Sequence, residues 1–327
     1  MHILIIGAAG MIGRKLIDRL VADGGPGGAA ITAFTLADIV AAAAPAGFAG
    51  QVETVAADLS APGEAERLIA GRPDLIFHLA AIVSGEAEAD FEKGYRINLD
   101  GTRALLEAIR NAGDDYRPKV VYTSSIAVFG APFPEAIHDE FHLTPLTSYG
   151  TQKAIGELLL ADYNRRGFLQ GVGIRLPTIC VRPGKPNKAA SGFFSSIIRE
   201  PLNGQEAILP VEETVRHCHA SPRSAVGFLM HAATLTPEAL GPRINLTMPA
   251  VICTVAEQIA ALRRFAGDTV AARIRREPDA VIMRIVQGWP QRVDAARATA
   301  LGFRAETSFD EIIRIHVEDE LGGKIAA

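Results

Sequence analysis

The first residues set a pattern that the rest of the chain repeats. His2-Ile3-Leu4-Ile5-Ile6 is a short, continuous apolar run, the way a strand buried on both faces reads. Gly7-Ala8-Ala9-Gly10-Met11-Ile12-Gly13 follows at once, and Lys15-Leu16-Ile17-Asp18-Arg19-Leu20 then takes up a helical period. Further short apolar runs at 31–36, 52–56, 75–79, 119–123 and 173–176 predict strands. Helical patterns at 62–70 and 91–111, and one opening at Thr147-Ser148, lie between them. Gly24-Gly25-Pro26-Gly27-Gly28 reads as a surface loop, and the acidic stretch 82–90 as irregular. Strands alternating with helices predict an α/β, Rossmann-type doubly wound parallel sheet.

After Arg182-Pro183-Gly184 the rhythm changes. A polar loop at 185–191 precedes a helix at 192–198, strands at 207–210, 216–219 and 243–246, and a helix at 222–234. Thr254 with Glu257, and Ser308 with Glu311, have the spacing of capping boxes; the second opens a last helix running to 320. This half has no single period. It predicts a smaller C-terminal α/β substrate lobe, 181–327, interleaved with the end of the sheet formed by 1–180.

Composition narrows the function. The chain has 327 residues and a net charge of −4. No basic block is present, so nucleic acid is not the expected partner. The apolar start is too short for a signal peptide, and no run approaches the ~20 apolar residues of a membrane span. Cys180, Cys218 and Cys253 stand far apart, with no metal spacing, which suits a reduced, cytoplasmic setting. His138, His142, His217 and His219 are not grouped like metal ligands and read as structural; no metal is expected.

The candidate chemistry lies at the strand ends. Glycines between a strand and a helix let a backbone approach a pyrophosphate at the positive end of that helix. Asp38 follows the second strand and is placed to accept hydrogen bonds from an adenosine ribose, which favours NAD over NADP; it could instead start a helix. Asn98 is unusual inside a helix, and is either exposed or breaks the ladder to hold a water. Ser124 and Ser125 emerge at the carboxyl edge of the sheet. Tyr149 and Lys153 are four apart, on one face of a helix. Alone that pair is often a half-buried tyrosine beside a solvated lysine. A free phenol titrates near ~10, and lowering that by about 3 units takes roughly 4 kcal/mol, within reach of a close cation in a dry site.

Taken in order, Gly-x-x-Gly-x-x-Gly, Asp38, Asp58, Asn98, Ser125 and Tyr-x-x-x-Lys make the chain resemble the extended short-chain dehydrogenases/reductases, the NAD-dependent epimerase/dehydratase family, over nearly its whole length. The resemblance implies NAD held by Gly7, Gly10, Met11, Ile12, Gly13, Asp38, Asp58, Leu59, Leu79, Ala80, Ala81, Asn98, Tyr149, Lys153, Pro177 and Thr178. It implies that Ser125 orients a substrate hydroxyl, that Tyr149 takes its proton, and that Lys153 lowers the tyrosine pKa and holds the nicotinamide ribose. A homodimer through the helices bearing Tyr149 and Asn98 is implied as well.

Segments 83–91, 175–178, 190–194 and 288–290 resemble the branch that acts on small sugar acids. They imply oxidation of the 2-hydroxyl of a four-carbon acid by NAD. A nucleotide-sugar epimerase or dehydratase on the same fold is the alternative, weakened by Leu176-Pro177-Thr178-Ile179 and by Phe129, where the epimerases carry other residues. An NAD-binding sensor without turnover would not need Ser125, Tyr149 and Lys153. An acid substrate needs a paired carboxylate, and arginine's forked donors suit one. Arg216 is the first candidate and Arg182 the second, with Ser84, Ser191 and Phe193 expected in the same pocket.

Overall fold

The computed structural model describes residues 1–184 and 190–326. The chain begins with β1 (His2–Ile6), α1 (Met11–Asp23), β2 (Ala33–Asp38), β3 (Gln51–Ala56), α2 (Glu64–Ile69) and β4 (Leu75–His78). Next come α3 (Ser84–Ala89), α4 (Phe91–Gly94), a π-helical turn (Tyr95–Asp100), α5 (Gly101–Asn111) and β5 (Lys119–Ser125). After them lie α6 (Ser148–Arg165), β6 (Gln170–Leu176) and the short β7 (Thr178–Ile179).

These strands form a parallel sheet in the order β3-β2-β1-β4-β5-β6, extended by a seventh strand, β10 (Asn245–Thr247), from far along the chain. The alternation of β1 shows why its sequence is apolar throughout. Ile3 and Ile5 join the core on one face, with Leu16, Phe34, Phe77 and Phe228. Leu4 and Ile6 join the core on the other, with Leu105, Ile109, Val120 and Leu160. The strand order reverses between β1 and β4, which both pair in parallel, and ligands bind at the carboxyl ends of strands beside such a switch point.

The second half holds α7 (Gly192–Leu202), β8 (Ala207–Leu209), β9 (Arg216–Ala220), α8 (Pro222–Thr234) and α9 (Pro237–Leu240). Beyond β10 follow β11 (Val251–Thr254), α10 (Val255–Ala266), α11 (Asp268–Ala271) and β12 (Ile274–Arg276). The chain ends with α12 (Ala280–Gln287), α13 (Ala296–Ala300) and α14 (Phe309–Leu321). A second core joins Phe194, Ile197 and Leu202 of α7 to Leu209, Ile259, Leu262, Ile312 and Ile313. Two small sheets, β11-β9-β7 and β12-β8, flank it.

Several expectations need adjusting. Residues 84–89, expected to be irregular, form α3, whose first residue has no side-chain cap to announce it. The helix expected over 91–111 is interrupted by the π-helical turn that carries Asn98. Asp38 is the last residue of β2, not the residue after it. The strand expected at 243–246 begins two residues later, because Asn245 is the first to pair, with Gly173. Ser308 caps α14, but Glu311 returns to Thr307 rather than to Ser308. The polar loop at 185–191 falls largely outside the described residues.

Candidate functional site

A cleft of about 420 Å³ opens at the carboxyl edge of the sheet, and its floor is built by the strand ends. Gly7 turns the chain from β1 with φ 96°. A Cβ there would sit 2.7 Å from the Ala80 amide nitrogen, where the segment after β4 passes close by. A Cβ on Gly13 would lie 2.2 Å from the Gly7 carbonyl oxygen, so only glycine lets α1 start against the loop. Gly7, Gly10, Met11, Ile12 and Gly13 line the cleft with Leu79 and Ala81.

Asp38 stands beside this loop. One of its carboxylate oxygens accepts from the Ala9 amide at 2.9 Å and the other from the Ile39 amide at 2.7 Å. A glycine cradle on a helix N-terminus, with a carboxylate at the end of the neighbouring strand, fits a dinucleotide with free ribose hydroxyls.

The reacting end is set by β5, β6 and α6. Pairing of Ser125 with Leu176 aligns the ends of β5 and β6. Ser125 turns the chain there, its hydroxyl accepting from the Ala127 amide at 3.1 Å. Thr147 caps α6 by accepting from the Gly150 amide, which fixes the first turn and with it Tyr149. One turn on, Lys153 is 3% exposed and donates to the Thr123 carbonyl at 2.8 Å. Its ammonium lies 5.9 Å from the Tyr149 ring centroid. One further turn on, Glu157 is fully buried; it accepts from Ser124 at 2.5 Å and pairs with Arg175 at 2.8 Å.

Burial and charge tune these groups. Burial raises the Tyr149 phenol above its ordinary value, while the Arg182 charge and the Ser125 hydroxyl pull it back. Burial lowers the Lys153 ammonium to about 7, against the pull of Glu157. Arg182 thus brings positive charge to bear on the phenol, while the Lys153 ammonium donates to a backbone carbonyl.

Arg182 lines the cleft beside Ser191. It donates to the Ile179 carbonyl at 3.0 Å and to the Ser191 hydroxyl at 3.1 Å. Among the described residues it makes no ion pair, and 185–189 contain no acid. Burial pushes its guanidinium below its ordinary value.

The cleft therefore brings together most of the expected residues: the glycine loop, Leu79, Ala81, Ser84, Ser125, Tyr149, Lys153, Pro177, Thr178, Arg182 and Ser191. It does not include Asp38, Asp58, Leu59, Ala80, Asn98, Phe193 or Arg216. Asp58 is held by Ser60 and by Arg96 at 2.7 Å, and Leu59 is buried under the sheet. Ala80 reaches the site through its backbone beside Gly7. Asn98 is 2% exposed, against the exposed alternative, and lies in the π-helical turn that interrupts the helix. It exchanges hydrogen bonds with the Ile82 backbone and donates to Gln152. Phe193 packs in the second core, its ring 4.1 Å from that of Phe194. Arg216 is exposed at the far end of β9, 3.7 Å from Glu257.

The sequence reading missed His217, which it took as structural. His217 is 3% exposed, yet it lines the cleft with Trp289 and Pro290. Trp289 is the chain's single tryptophan. Residues 3–220 match the model of the NAD dependent epimerase/dehydratase family. A relative from Cupriavidus necator, named D-erythronate dehydrogenase, is 48% identical over 98% of this chain and 98% of its own. A second protein of that name, from Haemophilus influenzae, is 39% identical over 98% of this chain and 100% of its own. A solved structure described as a nucleoside-diphosphate-sugar epimerase from Agrobacterium tumefaciens is 67% identical, with TM-score 0.97, over 100% of this chain and 96% of that one.

Proposed function

This chain belongs to the NAD dependent epimerase/dehydratase family, and on that premise we propose that it oxidises the 2-hydroxyl of a small sugar acid, D-erythronate or a close 2-hydroxy acid. NAD, when bound, supplies the acceptor for the hydride that leaves carbon 2. The chain's own residues do the rest. The Ser125 hydroxyl orients the substrate hydroxyl, and Tyr149 takes its proton as general base. Lys153, one turn along, holds the nicotinamide ribose. Asp38 accepts from the adenosine ribose and repels a 2′-phosphate. The product is the 2-keto acid, with one proton passed to Tyr149.

The observation that carries this reading is Arg182. A guanidinium is retained in the cleft, next to the base, with no carboxylate among the described residues paired to it. A substrate carboxylate completes that pair. Arg182 takes this role rather than Arg216, which does not line the cleft. A nucleotide sugar is the second reading, favoured by the description of the Agrobacterium tumefaciens structure; its diphosphate would use the same cation.

Arg182→Gln should raise the Michaelis constant for the acid about 10- to 150-fold, the scale of a lost charge-assisted pair of ~1.5–3 kcal/mol. The constant for NAD should move little. Equal changes in both would assign Arg182 to the fold instead of the substrate.

We also propose a working division at residue 180, with α8 and β10 returned to the sheet by the second lobe. Among the described residues no helix is long and apolar enough to cross a membrane, and a cytoplasmic location is proposed with it. A homodimer through α4 to α6 is supported by Phe91 and Leu158, 58% and 62% exposed on those helices.

A further inference from the structure

We propose that His217 is a positioning residue that fixes the Trp289-Pro290 wall of the cleft and thereby sets the length of acid the site accepts. The inference rests on the acid-oxidising reading above.

His217 joins four elements at one point. Its Nδ1 lies 3.0 Å from the Pro290 carbonyl oxygen, which can only accept. Nδ1 therefore carries the proton. Its Nε2 is then a bare acceptor for the Thr178 hydroxyl, 2.8 Å away. Both nitrogens are used: the Pro290 carbonyl fixes the tautomer, and the Thr178 hydroxyl, which can donate or accept, fits it. Burial lowers the ring to about 4, so the neutral form is the resident one. The ring stacks on Phe194 of α7 at 5.2 Å and 2°, and Trp289 packs beside it at 5.4 Å.

Thr178 follows Pro177 and opens β7, and both line the cleft. Trp289 and Pro290 line the same cleft, and the Trp289 amide is tied to the Val286 carbonyl at 3.0 Å. His217 thus ties the start of β7 to the Trp289-Pro290 segment. Arg182 sits close enough for its charge to act on both Tyr149 and His217. An acid held by Arg182 with carbon 2 at Tyr149 has its chain directed into a space bounded by this wall. A fixed indole limits that space; a loosened one would not.

The test measures kcat/KM with NAD for D-erythronate and for a six-carbon aldonic acid, D-gluconate. It compares wild type, His217→Phe, Trp289→Ala and the double variant. Phenylalanine keeps the stacking and removes both hydrogen bonds. The wild-type preference for the four-carbon acid should fall at least tenfold in each single variant, with no further fall in the double. A merely structural role would lower both acids together and leave their ratio unchanged; that result, in an active enzyme, overturns the inference. Trp289→Ala decides alone if His217→Phe does not fold. A wild type inactive on both acids would defeat the acid-oxidising reading and this inference with it.

Discussion

Tyr149 and Lys153 are each driven by burial toward their neutral forms, the phenol upward and the ammonium downward. On the proposed mechanism, proton removal depends on cations that favour the phenolate, and Arg182 is one whose charge acts on Tyr149. Tyr149→Phe should reduce turnover by about 10²-fold or more, the usual scale for a lost general base, with NAD affinity near normal. Retained turnover would remove Tyr149 from the mechanism. Arg182 adds a pH effect. A nearby cation lowers a phenol's pKa, so losing it raises that pKa. The base form is then reached only at higher pH. The rising limb of kcat against pH should move to higher pH in Arg182→Gln; an unmoved limb would separate Arg182 from the base.

At the scale of elements, α6 presents Tyr149, Lys153 and Glu157 one turn apart, and its position rests on the Glu157–Arg175 pair. Arg175 is 4% exposed, with Asp139 as a more distant second carboxylate at 3.6 Å. Glu157→Ala would leave a buried guanidinium poorly compensated, and unfolding in urea should show a loss of about 3 kcal/mol. A loss under ~1 kcal/mol would mean that Asp139 and Thr247 take over the charge. This pair was not legible in the sequence, because Glu157 and Arg175 meet only when α6 lies along β6. Elements with their own local cause were legible: β1 from its apolar run, α6 from the Thr147 cap, α10 from Thr254 and Glu257. The π-helical turn at Asn98 was not, since its cause is tertiary: hydrogen bonds to Ile82 and Gln152.

At the scale of the molecule, the proposed division of labour between two lobes is revealed unequally by the sequence. Backbone recognition leaves a local trace, because Gly7 and Gly13 have no room for a Cβ. The substrate side leaves little trace. Arg182, Ser191, His217 and Trp289 converge from β7 onward through loops and strands with no common period. Sequence alone ranks Arg216 ahead of Arg182, but β9 places it at the exposed end of its strand. Asp38 links sequence to cofactor choice. Asp38→Ser should narrow the preference of the enzyme for NAD over NADP, chiefly by weakening NAD, as read from kcat/KM for the two cofactors. An unchanged ratio would show that Asp38 does not face the ribose.

The central claim, a carboxylate-bearing substrate oxidised with net reduction of NAD, is tested most directly by following NADH absorbance. The purified protein is given D-erythronate, the neutral polyol erythritol, or a UDP-hexose in turn. D-Erythronate should produce NADH steadily, erythritol far more slowly, and the UDP-hexose none. Equal rates with acid and polyol, or turnover confined to the UDP-hexose without accumulation of NADH, would contradict it.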